Sequence, residues 1–320
     1  MKALQFDRTG NLDELFLREV AKPVATGDDV LIKVHAAGIN PSDIKNVLGR
    51  FPYTTVPRIP GRDFAGVVVE GPAQWQGKAV WGSGKGVGFT RDGAHAEYLV
   101  FPQSGLSLKP EALSFAQAAS CGVPYITALE VLERSGVKKD TQLLVIGAAG
   151  AVGTAAIALA KMHGANILGA VRKPQQQAAL QAQGIHSILL SDDAALARDV
   201  REYFSAGAEV VFDSTGLWLA GATGAIGTHG TVAVISAPPE KVVPFPLLDF
   251  YRAGGNMVGI NSLLHDLPAC AKFLDALSAL FDGGALAAPH NISERSLDAG
   301  IAAYHDVNNG CAEKMVLVMD

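Results

Sequence analysis

The stretch from Thr141 to Lys173 constrains the fold of this chain more than any other. An apolar run, Leu143 to Ile146, ends at a turn with three evenly spaced glycines, and an alanine-rich segment without helix breakers follows. A second apolar run, Ile167 to Val171, then ends on two basic residues. This order predicts strand, glycine turn, helix and strand within about 30 residues, as a dinucleotide-binding βαβ unit requires.

The glycine turn has a specific predicted task. Gly150 lets the backbone approach a pyrophosphate, and Gly153 lets the helix pack closely on the strand. Ala148 stands where the first glycine of a GxGxxG motif is usual, so the glycines alone are a weak signal. Their position between a predicted strand and a predicted helix makes the motif specific. The residues predicted to contact the cofactor here are Gly147, Ala149, Gly150, Ala151, Val152 and Gly153.

The end of the second strand indicates which dinucleotide binds. Enzymes that use NAD normally place Asp or Glu there, to bind the ribose 2′-hydroxyl. This chain has Arg172 and Lys173, and no acid before Asp192. Guanidinium and ammonium groups pair well with a 2′-phosphate, so we predict NADPH as the cofactor. The alternative is that the two cations are a solvated pair at the start of a helix.

Composition narrows the class of protein. With 320 residues, 49% of them hydrophobic and 18% charged, the chain can form two globular domains. A net charge of −5 without a basic block disfavours nucleic acid as a partner. The three widely spaced cysteines fit a reducing compartment, and the first 20 residues lack the apolar core of a signal peptide. We therefore expect a cytoplasmic protein.

Residues 141 to 160 also allow a competing interpretation, because 20 consecutive uncharged positions can span a bilayer. Glycines and threonines at regular points, amphipathic flanking segments and the lack of a second such span favour the βαβ interpretation. We therefore predict no membrane partner.

Hydrophobic periodicity changes near Ala116. Before it, the chain predicts mostly strands around an irregular stretch, Asn40 to Asp63, that is a natural place for function. After it, helices alternate with six apolar strands, which predicts a doubly wound parallel sheet. The tail from Leu263 to Asp320 predicts two amphipathic helices and a closing strand, Met315 to Val318. The predicted fold class is α/β.

Six segments together resemble the zinc-free medium-chain dehydrogenase/reductase superfamily, in particular its quinone oxidoreductase (zeta-crystallin-like) branch. They are KVHAAGINPSD at 33–43, PRIPGRDFAG at 57–66, GAHAEYLVFP at 93–102, YITALEVL at 125–132, LLVIGAAGAVGTAAIALAK at 143–161 and VVFDSTG at 210–216. The resemblance implies a β-rich, GroES-like catalytic domain formed by residues 1–118 and 262–320. It also implies a Rossmann NADP-binding domain at 119–261, an active site in the cleft between the domains, and a homodimer.

The resemblance also bears on zinc. Zinc-dependent relatives carry a cysteine just after the AAGI-type run, and a His-Glu pair in the later GHE segment. Asn40, Arg62 and Asp63 stand at these positions here. A catalytic zinc needs three protein ligands, and Asp63 cannot hold the ion alone. We therefore predict no metal site.

The predicted chemistry is hydride transfer from nicotinamide to a small hydrophobic quinone or enone, for which the cofactor supplies the reactive group. Negative charge would develop on the substrate oxygen, and Asn40 is the first candidate for a hydrogen-bond donor to it. The alternative is that Asn40 only fixes the loop together with Pro41. Asp43 is a second candidate, for which capping of a turn is the stronger alternative to acid catalysis.

Tyr53 is the third catalytic candidate. The NPSDI run also resembles the mitochondrial-type enoyl thioester reductases, in which a tyrosine follows the next glycine. Phe51 stands at that place here and has no hydroxyl to donate, whereas Tyr53 lies two residues further on. An ordinary packed tyrosine is the alternative.

Family correspondence adds cofactor contacts outside the glycine turn. Asn40 and Thr127 correspond to positions near the nicotinamide end, although the Thr127 hydroxyl can also cap its own helix. The ends of the late strands add Ser236, Ala237, Gly259 and Asn261, where such folds bind ligands. Two alternatives to the quinone reductase remain: an enone or enoyl double-bond reductase, and a non-catalytic NADPH-binding structural or redox-sensing protein.

Overall fold

The computed structural model describes residues 1–238, 240 and 242–319, which form two compact units. The terminal unit comprises Met1–Ile126 and Ser262–Asp320, and the central unit comprises Thr127–Asn261. The first division falls inside one continuous helix, eight residues after the boundary expected at residue 118. The assignment of a separate function to each unit stays a prediction.

The N-terminal part of the terminal unit is rich in strands, as its alternating apolar residues predict. Its elements in chain order are β1 (Lys2–Phe6), β2 (Leu15–Glu19), β3 (Asp29–Gly38), α1 (Pro41–Val47), β4 (Asp63–Glu70), β5 (Ala79–Gly82), β6 (Tyr98–Pro102), β7 (Ser107–Leu108) and α2 (Phe115–Arg134).

The central unit alternates strands and helices. Its elements are β8 (Gln142–Ile146), α3 (Ala151–Met162), β9 (Asn166–Val171), α4 (Pro174–Ala182), β10 (His186–Leu189), α5 (Asp193–Tyr203), β11 (Ala208–Asp213), α6 (Leu219–Ala225), β12 (Ile226–Val234), α7 (Leu247–Arg252) and β13 (Asn256–Gly259). The strands form one parallel sheet in the order β10-β9-β8-β11-β12-β13. The order reverses between β8 and β11, which is the ligand-binding switch point of a doubly wound fold.

The tail returns to the terminal unit through α8 (Leu267–Asp282), β14 (Ile292–Ser296), α9 (Gly300–Asn308) and β15 (Lys314–Val318). A seven-stranded sheet follows the path β14-β15-β3-β4-β5-β7, and β6 also pairs with β3. Antiparallel pairing aligns Val316 with Gly38 and Val318 with Ala36. The last strand therefore lies beside the strand that leads into Asn40.

The predicted α/β fold class is confirmed, and the differences from it are local. The apolar pattern from Ala94 to Phe101 predicts a strand, which begins only at Tyr98, because Ala94 and His95 donate their amides to the loop carbonyls of Gly61 and Pro60. The short strand β14 was not predicted, because its sequence ISERS lacks an apolar run. Within the described residues, no helix has both the length and the apolarity needed to cross a membrane.

Candidate functional site

The turn between β8 and α3 requires glycine at two places. Gly147 adopts a φ of 77°, a left-handed conformation that glycine adopts without strain. A side chain at Gly153 would clash with the carbonyl oxygen of Gly147, so the helix can approach the strand this closely only without a Cβ. At Gly150, by contrast, the oxygen of Gly147 is the single atom within 4 Å of an added Cβ. The outer side of Gly150 is therefore accessible.

The first turn of α3 suits an anion. Gly150 is the N-cap and provides no side-chain acceptor, so the amides of Ala151, Val152 and Gly153 have no partner within the helix. The helix dipole adds partial positive charge at the same end. A pyrophosphate fits this arrangement of approachable amides.

The end of β9 lies directly beside this turn. Gly147 and Ala148 donate their amides to the carbonyl of Ala170, over 3.0 and 3.3 Å. Arg172 and Lys173 follow two and three residues later, and both side chains are exposed. The structure thus brings two solvent-facing cations to the sheet edge that carries the glycine turn.

The late strands end at the same edge. Ile260 donates its amide to Val234 over 2.9 Å, so the residues that follow β12 and β13 are neighbours. Among the predicted contacts, Ser236 and Ala237 follow β12, and Gly259 ends β13. Arg134 donates a hydrogen bond to the carbonyl oxygen of Gly259 over 2.8 Å, which fixes the orientation of that carbonyl group.

The other two predicted cofactor contacts of the central unit lie at its chain ends. Asn261 follows the end of β13 and is exposed. Thr127 lies within α2 and is buried, with 4% of its surface exposed. Their positions do not test whether either residue contacts a cofactor, so both predicted roles stay predictions.

Asn40 is held at both ends of its side-chain amide. The residue caps α1 and is 2% exposed. Its Nδ2 donates to Oδ2 of Asp63 over 2.8 Å, and its Oδ1 accepts from Nζ of Lys314 over 2.5 Å. An ammonium can only donate and a carboxylate can only accept, so these partners fix which end of the amide is which. One of the two Nδ2 hydrogens is engaged by Asp63, and the second is left for another acceptor.

Asp63 joins this amide to helix α2. Its Oδ2 also accepts the amide of Val123 over 2.8 Å. The next residue, Pro124, interrupts the hydrogen bonding of the helix interior. A side chain at Gly122 would clash with Oδ1 of Asp63. The carboxylate is therefore packed tightly between Asn40 and the middle of α2.

Asp43 is a buried residue that binds the backbone of Asn40. It is 1% exposed, and its Oδ2 accepts the backbone amide of Asn40 over 2.8 Å, as in a capping box. Burial, reinforced by the nearby charge of Asp63, raises the pKa of the Asp43 carboxyl to about 7. In this structure Asp43 orients the backbone at Asn40.

His95 forms a buried polar contact in the terminal unit. Its Nδ1 lies 2.8 Å from the hydroxyl of Tyr304, and its Nε2 lies 3.3 Å from the carbonyl oxygen of Gly38. Burial lowers the pKa of His95 to about 3, so the ring is neutral at pH 7. This contact ties the end of β3 to α9.

Tyr53 lies on the loop after α1, where 48% of its surface is exposed. Its ring centroid is 5.8 Å from that of Phe51 and 6.0 Å from that of Phe89. The structure thus places Tyr53 in an aromatic cluster with Phe51 and Phe89, and these ring contacts do not involve the Asn40 amide.

The three side chains that the resemblance places at zinc-ligand positions do not fit a zinc site. Arg62 has only donor groups, and it directs two of them to Ser262 over 3.3 and 3.4 Å. Oδ2 of Asp63 already accepts two hydrogen bonds, and a cation, Lys314, already lies on Oδ1 of Asn40. Across 1–238, 240 and 242–319, no three His, Cys, Asp or Glu side chains are grouped to hold a metal.

Comparison with known proteins assigns the family. Residues 26–111 match the alcohol dehydrogenase GroES-like domain, and residues 151–276 match the zinc-binding dehydrogenase family. A zinc-type alcohol dehydrogenase-like protein of Schizosaccharomyces pombe is 36% identical over 310 residues, which cover 95% of this chain and 92% of that protein. The chain belongs to the medium-chain dehydrogenase/reductase superfamily. The predicted GroES-like and Rossmann architecture is thereby confirmed.

Other members of the superfamily match over shorter stretches. The 2-methylene-furan-3-one reductase of Solanum lycopersicum is 38% identical over 68% of this chain and 57% of its own length. The human quinone oxidoreductase is 34% identical over 59% of this chain and 58% of its own length. The chain thus spans little more than half of these two relatives. A mycobacterial protein solved with NADPH superposes over the full length of both chains with a TM-score of 0.87, but at 23% identity it shows the fold alone.

Membership in this superfamily makes the protein an oxidoreductase that binds a nicotinamide cofactor. The named reductases among its relatives also confirm the predicted quinone oxidoreductase-like character. The matched family has zinc in its name, whereas the sequence resemblance predicts Asn40, Arg62 and Asp63 at the ligand positions of this chain.

Two polar residues of the structure were missed by the sequence analysis. Lys314 opens the apolar strand β15, and a single lysine at a strand end gives no signal of a contact with Asn40. Asp213 ends β11, where its carboxylate accepts the backbone amides of Thr215, Gly216 and Trp218. It shapes the turn that follows β11, and its place at the end of the VVFD strand was the available signal.

Proposed function

We propose that the protein is an NADPH-dependent, zinc-independent reductase that transfers hydride to quinones or related electron-poor carbonyl compounds. The observation that carries this proposal is the buried Asn40 amide, whose orientation is fixed by Lys314 and Asp63 and which keeps one N–H uncommitted to them. A neutral donor of fixed direction can stabilise negative charge without a change of protonation.

In the proposed reaction, bound NADPH supplies the hydride. The second Nδ2–H of Asn40 would donate a hydrogen bond to the substrate oxygen, where negative charge develops, and water would supply the proton that completes the reduction. Asp43 holds the backbone of Asn40, and Asp63 holds its side chain, so the donor is in place before the substrate arrives. Fixed donors of this kind avoid the cost of reorganisation during the reaction.

The choice of NADPH over NADH rests on the two exposed cations at the end of β9. Arg172 offers a planar pair of donors and Lys173 a point charge, and both suit the 2′-phosphate. An acidic group that would favour the free ribose hydroxyl of NADH is lacking at this strand end in the sequence.

Reduction of an activated carbon–carbon double bond is the second candidate. The tomato reductase and an NADPH-dependent alkenal/one oxidoreductase of Arabidopsis thaliana, 36% identical over 58% of this chain, favour it. The same Asn40 hydrogen would then stabilise an enolate oxygen, which also carries negative charge.

We further propose a cytoplasmic homodimer. The edge strand β13 and the preceding α7 expose several large apolar side chains, which favours burial against a second copy. These are Leu247, Leu248, Tyr251 and Met257. Sedimentation equilibrium should give twice the chain mass of 33.3 kDa, and a mass of 33.3 kDa at micromolar concentration would contradict the dimer.

The deciding experiment follows cofactor oxidation by the purified protein with a small ortho-quinone, with NADPH or NADH and with a chelator present. A reaction without enzyme is the control, because quinones can accept hydride directly. Chelator-insensitive turnover that prefers NADPH is the expected result. Turnover with enones alone would favour the second candidate, and NADPH binding without turnover of either substrate class would contradict the proposal.

A further inference from the structure

We propose that Lys314 is a positioning residue of the reaction centre, which fixes the amide of Asn40 and polarises its free N–H toward the substrate oxygen. This inference rests on the proposed function, in which Asn40 is the donor. Lys314 itself touches Asn40 rather than the substrate.

The fold brings this lysine to Asn40 from the far end of the chain. Lys314 opens β15, which pairs with β3, and Asn40 lies two residues beyond the end of β3. The ammonium donates to the carbonyl of Ile39 over 2.9 Å and to Oδ1 of Asn40 over 2.5 Å. Two acceptors on consecutive residues fix both the backbone and the side chain at this point.

The surrounding charges keep the ammonium in place. Burial lowers the pKa of Lys314, while the carboxylates of Asp63 and Asp43 counteract that shift. Arg62, which is buried, is a second cation whose charge acts on Asp43. Asp63 and Asp43 thus lie near two basic groups, and removal of Lys314 leaves the buried carboxylate of Asp63 with one cation fewer, which is costly inside a protein.

The position of the charge has a consequence for the donor. The ammonium lies on the oxygen of the Asn40 amide, and the free hydrogen lies on its nitrogen. A hydrogen bond to an amide oxygen withdraws electron density from the nitrogen and strengthens the N–H as a donor, since linked hydrogen bonds polarise one another. Asn40 therefore transmits the lysine charge to the substrate oxygen.

Three variants of the full-length protein separate positioning from stability. Lys314→Met removes the charge at similar length, and Lys314→Arg retains it. Lys2→Met is the matched control, because Lys2 also belongs to the terminal unit and pairs with Asp298 over 2.8 Å, but its side chain is half-exposed. Thermal melting shows whether each variant is folded.

The first readout is independent of activity. The side-chain amide signals of Asn40 in a ¹⁵N NMR spectrum, assigned with Asn40→Asp, should shift in Lys314→Met and stay unchanged in Lys2→Met. The second readout is turnover of the ortho-quinone. We expect kcat to fall at least tenfold in Lys314→Met, with KM for NADPH within twofold, and to recover at least partly in Lys314→Arg.

Coupling between the two residues completes the test. If Lys314 acts through Asn40, Lys314→Met should change kcat less than twofold when Asn40→Ala is already present. An unchanged Asn40 signal, additive losses of kcat, or an equal loss in Lys2→Met would each overturn the proposal. If the wild-type protein lacks turnover, the proposed function fails, and the NMR signal and the Lys314→Arg variant still decide whether the lysine holds the amide.

Discussion

The two units carry candidate sites of opposite construction. In the central unit, the predicted cofactor edge consists of backbone amides and glycines contributed by consecutive residues between β8 and α3. In the terminal unit, the Asn40 centre consists of polar side chains from three separate segments, at 40–43, 62–63 and 314, together with the backbone amide of Val123. The first kind of site depends on shape, and the second depends on balanced charge.

This contrast predicts how each site fails. A side chain added at the glycine turn should destabilise the fold if it points toward the strand, and should weaken cofactor binding if it points outward. A change in the charge cluster should act on the rate of reaction while the cofactor still binds.

The largest effect is expected at Gly153. Gly153→Ala should lower the free energy of unfolding by about 3 kcal/mol, because the new Cβ clashes with the backbone of Gly147 and Ala148. Gly150→Ala is the control and should cost only about 1 kcal/mol or less, yet weaken NADPH binding, because its Cβ fills the approach to the amides. Urea unfolding and fluorescence titration measure the two effects. Equal losses of stability in both variants would contradict the division of roles.

Asn40→Ala tests the other unit. Loss of a fixed donor to developing negative charge should lower kcat about 100-fold, with a much smaller change in the dissociation constant for NADPH. Asn46→Ala is the control, because Asn46 is also a buried asparagine of α1, bonded to Gly88 over 2.6 Å and to Thr54 over 2.5 Å. A comparable fall of kcat in the control would mean that the helix matters and the Asn40 amide does not.

The basic pair tests the cofactor edge through charge instead of shape. Simultaneous Arg172→Ala and Lys173→Ala should weaken NADPH binding about 30-fold, or about 2 kcal/mol, and leave NADH binding nearly unchanged. Arg198→Ala provides the control, because Arg198 is an exposed arginine of the same unit that pairs with Asp199. Isothermal titration with both cofactors gives the answer, and equal weakening of NADPH and NADH would remove the 2′-phosphate assignment.

The same contrast explains what the sequence could predict. Apolar runs of regular period predict the order of strands and helices in the central unit, and closely spaced glycines predict the turn, because both signals are local. The Asn40 centre is different, since Lys314 lies 274 positions away from its partner. A hydrogen bond of that separation depends on how β15 pairs with β3, which side-chain pattern alone does not specify. The sequence therefore predicts Asn40 as a donor, whereas the groups that orient its amide could be identified only in the structure.

The smallest effect expected in the wild-type protein is the net result of two opposed pH dependences in the terminal unit. The pKa of Asp43 is raised to about 7, so its contribution to stability is present below about pH 4 and is lost as the pH rises toward 7. The pKa of His95 is lowered to about 3, so its contribution is present above about pH 6.5 and is lost as the pH falls toward 3. Between pH 4 and 6.5 the two slopes therefore oppose each other, and each amounts to at most about 1.4 kcal/mol per pH unit.

Substitution of either group should expose the slope of the other. Urea unfolding of Asp43→Asn should show stability that increases from pH 4.5 to 6.5 relative to the wild type, because the His95 slope is no longer opposed. His95→Gln should show the reverse, a relative decrease over the same range. Groups elsewhere contribute equally to all three proteins, so the differences isolate these two. If both variants changed in the same direction, the pKa values of Asp43 and His95 would not be shifted in the opposite directions that the structure indicates.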